Sequence, residues 1–208
     1  LIALSAQLPL TKTFARNQDG SVTKTPYPMT KAFVSHERNY NTLEELAEVV
    51  IHAATNQWCL LKGTISSPIL NESRAGRTDP TADTWWILLD FDRVKAGDVD
   101  ELLAHLDLAD VDYFVQYSAS HGALGTEGTV SAHVFILLER PVSAPALKLW
   151  LMQLNLDKFR DQIKLNRLGT ALVWPLDITT CQNDKLIYVA PPVFQGMEDP
   201  VKRRFKLC

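Results

Sequence analysis

Cysteine is scarce in this chain of 208 residues: there are three, Cys59, Cys181 and Cys208, and no two form a Cys-x-x-Cys pair. That argues against a disulfide framework and a thiolate zinc site, and it favours a reducing compartment. Long apolar runs are also missing. No stretch approaches the ~20 residues of a membrane span and no signal peptide is evident, so a cytoplasmic protein without a membrane partner is expected. Nor does one sign of charge dominate, since 21 Lys and Arg stand against 24 Asp and Glu for a formal net charge of −3. A globally basic nucleic-acid binder is excluded, and any such site must be a local patch. No His-x-His pair, internal repeat or low-complexity segment occurs. What remains, 46% hydrophobic and 22% charged residues, is an ordinary globular composition with chain enough for one large domain or two small lobes. A first residue of Leu1 rather than Met leads to the expectation of a piece of a longer protein.

One stretch stands out. Thr84-Trp85-Trp86-Ile87-Leu88-Leu89-Asp90-Phe91-Asp92 runs five large apolar residues into two carboxylates. The apolar run reads as a strand buried on both faces and anchored by Trp85 and Trp86. Alternation along a strand points Asp90 and Asp92 to one side, roughly 7 Å apart. Two like charges at the mouth of a buried strand oppose folding unless something positive sits between them, and a divalent metal is the simplest candidate. A polar strand end before a turn is the plainer alternative.

Residues 1–40 read as irregular, with scattered basic residues such as Lys12, Arg16, Lys24 and Lys31. Thr42 and Glu45 fit a capping box ahead of the apolar stripe Leu43, Leu46, Val50 and Ala53. Trp58 to Leu61 is a short strand, and the polar loop from Ser66 to Asp83 carries Arg74 and Arg77. Asp98 and Glu101 cap a helix with Val99, Leu102, Leu103 and Leu106 on one face. Tyr113 to Tyr117 is a strand, Ser118 to Thr129 a loop with Gly122, Gly125 and Gly128, and Val130 to Leu138 a second strong strand. Ser143 and Pro145 open a helix with Leu147, Trp150, Leu151 and Leu154 on one face, and a shorter helix is expected around Lys158 to Leu165. Trp174 to Ile178 and Leu186 to Val189 are short strands.

From residue 85 the order is strand, helix, strand, strand, helix, strand, which is that of the ferredoxin-like split βαβ unit. The expectation is an α+β fold, with an N-terminal α/β unit over residues 1–84 and a βαββαβ unit over 85–208, together one catalytic domain. In that topology the first strand lies between the third and the fourth, both antiparallel to it. Asp90 and Asp92 then meet Ser131-Ala132-His133 and Asp177 at one end of one sheet. Three carboxylates on rigid strands suit Mg²⁺ or Mn²⁺, and two such ions would serve a phosphoryl transfer. His133 would donate to a phosphate, unless it is simply a core histidine.

These residues resemble the archaeo-eukaryotic primase superfamily, in particular the primase-polymerases of phages and plasmids. Its three motifs, an hhhDhD strand, an SxH strand and an hD strand, stand here as Ile87 to Asp92, Ser131-Ala132-His133 and Leu176-Asp177. The resemblance spans residues 58 to about 195. It implies metal ligation by Asp90, Asp92 and Asp177, and nucleotide phosphate binding by His133. It also implies a two-lobed fold in which the N-terminal unit leans on an RRM-like unit. The activity implied is template-directed transfer of nucleotides from nucleoside triphosphates on single-stranded DNA, in a phage, plasmid or bacterial setting, with a fused or associated helicase as a further partner.

Further candidates follow from charge and position. Lys62, Arg74 and Arg77 precede the acidic strand and suit triphosphate or template contacts. Ser118, Ser120 and His121 lie in the glycine-rich loop, where they would cradle phosphate with Ser131 close by. Lys185 is a weaker template candidate, and Lys202 to Lys206 reads as a nucleic-acid contact or a solvated tail. Two other classes compete. A haloacid-dehalogenase-type phosphatase shares the strand ending in Asp90-x-Asp92, but it needs a later lysine and a downstream acidic pair, and Gly97-Asp98 falls too early. A non-catalytic RRM-like domain needs exposed aromatics on its central strands, where this chain has Asp and His.

Overall fold

A computed structural model describes residues 1–123 and 126–208; Gly125, expected in the glycine-rich loop, lies outside the described residues. The chain is an α+β fold. Four strands occupy the first forty residues, β1 (Ile2–Ser5), β2 (Thr13–Arg16), β3 (Val22–Thr25) and β4 (Phe33–Glu37), where the sequence led us to expect irregular chain. These strands are short and carry exposed lysines and threonines, so they lack the apolar run that marks β-structure. Helix α1 (Leu43–Thr55), β5 (Cys59–Leu61), β6 (Leu70–Glu72), β7 (Thr84–Lys95), α2 (Val99–His105), β8 (Phe114–Tyr117), β9 (Thr129–Val142) and α3 (Ala144–Lys158) follow. The expected helix around Lys158 to Leu165 is instead a 3-10 turn, Arg160–Gln162, leading into the hairpin β10 (Lys164–Leu165) and β11 (Leu172–Val173). The chain closes with β12 (Leu186–Tyr188), β13 (Val193–Gln195) and β14 (Phe205–Leu207). Among the described residues no helix is long and apolar enough to cross a membrane.

The helix starts follow their caps. Thr42 accepts from the Glu45 amide at 3.2 Å, Asp98 from the Glu101 amide at 2.8 Å, and Ser143 from the Ala146 amide. Each helix buries the stripe read from its sequence, with Leu46, Val50 and Ala53 on α1, Leu102 and Leu103 on α2, and Leu147 and Leu151 on α3.

Strand order in the four-stranded sheet is β14-β8-β9-β7, antiparallel throughout. The two faces of β7 and β9 bury different cores. Ile87, Leu89, Phe91, Val134 and Ile136 pack with α2 and α3. Trp86, Leu88 and Phe135 pack with α1, Leu60 of β5 and Ile187 of β12. Full burial of each such side chain stabilises by about 1.5–3 kcal/mol, so β7 is rigid up to Leu89. Trp85 does not share this anchoring role: pairing with β9 is irregular between Thr84 and Trp86, and Trp85 is 56% exposed.

On the other side of β7 the expected fourth strand shrinks to one antiparallel bridge, Phe91 to Leu176. Pro175 interrupts it, since proline has no amide hydrogen for a ladder. Asn155 of α3 takes over the missing contacts. Its amide nitrogen donates to the carbonyls of Leu151 at 2.8 Å and Leu176 at 2.9 Å, and its oxygen accepts from the Leu176 amide at 3.0 Å.

The 84/85 division does not separate two independent units. β12 joins the five-stranded sheet β12-β5-β1-β4-β6, and β13 pairs in parallel with β2. The returning chain lies tight against β5: the Gly63 amide donates to Asn183 at 2.8 Å, and a Cβ at Gly63 would lie 2.6 Å from the Asn183 Cβ.

Asn155→Ala should cost about 2–4 kcal/mol in urea unfolding, because it strands the buried amide and carbonyl of Leu176. A loss below about 1 kcal/mol would show that Asn155 does not hold this segment.

Candidate active site

The end of β7 opens into a cleft of about 600 Å³. Asp90, Asp92 and Arg93 of β7 line it together with His133 of β9, Asp177, Lys185 and Ser120, and Lys12, Lys24 and Tyr27 close it from the N-terminal side. The floor is apolar strand, so the charges gather where the two cores stop.

A bulge sets the carboxylates. Phe91 pairs with Ala132 and Val94 with Val130, which leaves Asp92 and Arg93 opposite Ser131 alone. Arg93 takes the extra residue at φ 57°, an uncommon conformation for a side chain of its size, and its amide donates to Ser131 Oγ at 2.9 Å. Ser131 is 1% exposed, so it fastens the bulge and does not reach the cleft.

Asp90 and His133 are register partners, with Asp90 Oδ1 3.4 Å from His133 Nε2. Gln116, fully buried on β8, completes the row. Its amide nitrogen donates to the Tyr117 carbonyl, so its oxygen faces His133 Nδ1 at 2.6 Å and accepts that proton. A neutral imidazole so held turns the lone pair of Nε2 towards a carboxylate. Two lone pairs in contact repel unless a proton or a cation lies between them. Burial pushes the Asp90 carboxyl up, His133 counteracts this, and Asp177 and Asp92 reinforce it. Burial holds the His133 imidazole low, Asp90 counteracts this, and Lys185 and Lys12 reinforce it.

Asp177 caps the 3-10 turn Ile178–Cys181, and both its oxygens are engaged. Oδ1 accepts from the Thr179 amide at 2.8 Å, while Oδ2 accepts from Thr179 Oγ1 at 2.9 Å and Lys185 Nζ at 2.7 Å. Burial works to raise its carboxyl, but Lys185 and Thr179 outweigh that and hold it below the ordinary range. Among the described residues, no group of three His, Cys, Asp or Glu side chains is disposed to hold a metal ion. Asp177 shares the cleft with Asp90 and Asp92, but both its oxygens are already taken by Thr179 and Lys185. Asp90 and Asp92 still offer hard oxygen donors to a divalent ion, and the Asp90–His133 contact calls for positive charge, so a two-carboxylate site fits the residues present.

Lys12 Nζ lies in this cleft 3.0 Å from Ser120 Oγ and 4.6 Å over the Tyr27 ring, which stacks on Tyr188 at 4.0 Å. Burial depresses its pKa, Lys24 depresses it further, and Asp92 and Asp90 pull it back up. Lys12, Lys24, Tyr27 and Gln116 carry no motif in the sequence. The lysines stand among other scattered basic residues, and contacts with chain far downstream, the pairing of β2 with β13 and the bond from Lys12 to Ser120, hold this segment.

Several residues expected at the site lie elsewhere. Lys62 is 2% exposed, with Nζ 2.6 Å from Thr84 Oγ1, 2.8 Å from the Trp86 carbonyl and 4.0 Å over the Trp86 ring. Burial pushes it down to about 7. It is a clamp between β5 and the start of β7, roughly 13 Å from Asp90 at strand spacing. Arg74 donates to the Asp184 carbonyl at 2.7 Å, and Arg77 pairs with Glu72 at 2.7 Å, so both brace the long loop. His121 stacks on Tyr117 and accepts from the Ser131 amide, outside the cleft. Arg204 pairs with Asp199 and Lys206 with Asp100, and no residue of the basic run near the C-terminus lines the cleft.

A raised carboxyl at Asp90 means that its ionisation opposes folding, and this destabilisation grows as pH rises through its folded pKa. Asp90→Asn should therefore melt higher than the wild type at neutral pH in circular dichroism. A lower melting temperature would show that the charged form is well accommodated. The depressed His133 acts in the other direction: its contribution is fully present above the ordinary imidazole range and is lost as pH falls below it.

No protein-family model matches this chain, and no curated protein or solved structure matches it.

Proposed function

We propose that the cleft carries out template-directed nucleotidyl transfer, adding nucleotides from nucleoside triphosphates to a strand paired with single-stranded DNA, as a primase-polymerase does. The observation that carries this reading is the meeting of Asp90, Asp92 and His133 with Lys12, Lys24, Arg93 and Lys185 in one cleft. Carboxylates alone would suit a cation and cations alone an anion; the two together suit an anion that arrives with a divalent metal, which is the state of a nucleoside triphosphate.

The reaction joins the 3′-hydroxyl oxygen of the growing strand to the α-phosphorus and releases pyrophosphate. Mg²⁺ or Mn²⁺ held by Asp90 and Asp92 would supply positive charge for the transferring group. Lys12, oriented by Ser120 and the Tyr27 ring, and Lys24 and Arg93 beside it would bind the phosphate chain. The Gln116 oxygen accepts from His133 Nδ1, and burial holds the imidazole low. A phosphate nearby would favour a second proton on Nε2, which then donates to a phosphate oxygen while Gln116 keeps the ring in place. Lys185 gives Asp177 a choice: it remains paired, or it turns to the phosphates and frees Asp177 as a third oxygen donor. The antiparallel sheet around Asp90 also weighs against a phosphatase of the haloacid-dehalogenase type, whose Rossmann-like sheet is parallel.

The test is incubation with single-stranded DNA, labelled ribo- and deoxynucleoside triphosphates, and Mg²⁺ or Mn²⁺, with products resolved by length. Oligomers are expected from the wild type and none from Asp90→Ala or Asp92→Ala. Absence of product with either sugar, together with hydrolysis of a generic phosphomonoester, would replace this reading with the phosphatase. Lys12→Ala should raise the KM for the triphosphate about tenfold, the loss of one charge-assisted phosphate contact, with a smaller effect on kcat.

A further inference from the structure

Every residue of the hairpin formed by β10 and β11 is exposed except Asn166, which is partly buried. Leu165 is 63% exposed, Leu168 81%, Leu172 49% and Val173 50%, four large apolar side chains within nine residues of chain. A two-stranded hairpin is marginal in water, and one without a buried face is more so. Here local polar contacts hold its shape. The Asn166 side chain accepts from the Thr170 amide at 2.9 Å and donates to Thr170 Oγ1 at 3.1 Å. The Asn166 amide donates to Ala171 at 2.8 Å, and Gly169 supplies the turn at φ 69°. The chain thus spends its turn chemistry on presenting apolar side chains to solvent.

Two further facts say what such a surface meets. From Gln162 to Leu176 there is no carboxylate, while Lys164 and Arg167 are both exposed. The hairpin is also continuous with the cleft: Leu172, Val173 and Trp174 line it together with Asp90 and Asp92. A surface that alternates apolar and cationic groups, without acid, and that runs into a phosphate-binding cleft matches one polymer. Single-stranded nucleic acid offers unpaired base faces to apolar side chains and regularly spaced phosphates to cations. An apolar protein partner would leave the absence of acid and the approach to the cleft unexplained.

We infer that the hairpin Lys164–Val173, with Trp174 at its base, grips single-stranded nucleic acid and leads it to Asp90 and Asp92. Lys164 and Arg167 hold phosphates, the leucines and Val173 lie against bases, and Trp174 stacks on the base nearest the cleft. The direction of the strand as template rests on the nucleotidyl-transfer reading; the contact itself does not. It also fills a gap, because Arg77 and Lys185, two of the residues expected to meet the template, are tied to Glu72 and Asp177.

The test measures binding of a fluorescein-labelled oligothymidylate by anisotropy across a salt series, for the wild type and two double variants. Lys164→Gln with Arg167→Gln should weaken binding roughly ten- to thirtyfold at about 0.1 M salt and flatten the salt slope by about 1.4, the share of two phosphates on a single strand. Leu165→Ser with Leu168→Ser should weaken binding and leave the slope unchanged. Because all four side chains are exposed, both variants should melt as the wild type does in circular dichroism. Wild-type affinity in both variants would overturn the assignment, as would failure of the wild type to bind at low salt. A leucine variant that changes only the sedimentation of the protein would also overturn it and give the surface to a second copy of the chain. The two readings fail separately. Impaired binding in the variants without any nucleotide incorporation by the wild type leaves the grip and removes the polymerase; unchanged binding with normal incorporation does the reverse.

Discussion

The cleft depends on one abrupt change of polarity along β7. Up to Leu89 the strand is squeezed between two apolar cores, and one residue later it carries a carboxylate facing a histidine. The apolar stretch supplies the rigidity that lets Asp90 remain where its charge is unwelcome. A flexible strand would relax the Asp90–His133 contact by moving apart. Here Phe91, which is 1% exposed, fixes the position of Asp90 from the next residue, and the bridge to Leu176 fixes it from the side. Stability and site strain are two ends of the same strand.

Neutrality at the site is distributed over several elements. Lys185 compensates Asp177 within one short segment, and that segment is tied to α3 through Asn155 and to β5 through Gly63 and Asn183. Asp90 and Asp92 have no such lysine at ion-pair distance among the described residues. Asp90 is compensated by His133 and, at longer range, by Lys185, and both carboxylates act on Lys12. This difference separates a carboxylate that folding has already satisfied from two that still lack a cation.

Much of the architecture could be read from the sequence. The three helices announced themselves through caps and stripes, and β7 and β9 through apolar runs too strong for any other element. The convergence of Asp90, Asp92, His133 and Asp177 followed from strand order alone. What escaped had no local signal. The strands of the first forty residues are short and polar on one face. Lys12 and Lys24 lie next to β2, whose parallel partner β13 comes from far downstream in the chain. Lys62 read as a phosphate binder because a lysine after a strand usually meets solvent, whereas here it is buried by Trp86 and Thr84. Ser131 matched a motif, yet its hydroxyl is taken by the amide of a bulge that no spacing rule announces.

The return of β12 and β13 to the N-terminal sheets bears on how the molecule comes into being. β5 stays without its outer neighbour, and β2 without its parallel partner, until residues more than a hundred positions later have been made. Contacts of such long range form slowly, because the loop they close must be ordered first. During synthesis the N-terminal strands therefore emerge with open edges, and they are covered only once the segment bearing Asp177 and Lys185 has passed. Closing those sheets also brings Lys12 towards Asp90, so a partly folded chain lacks the complete cleft.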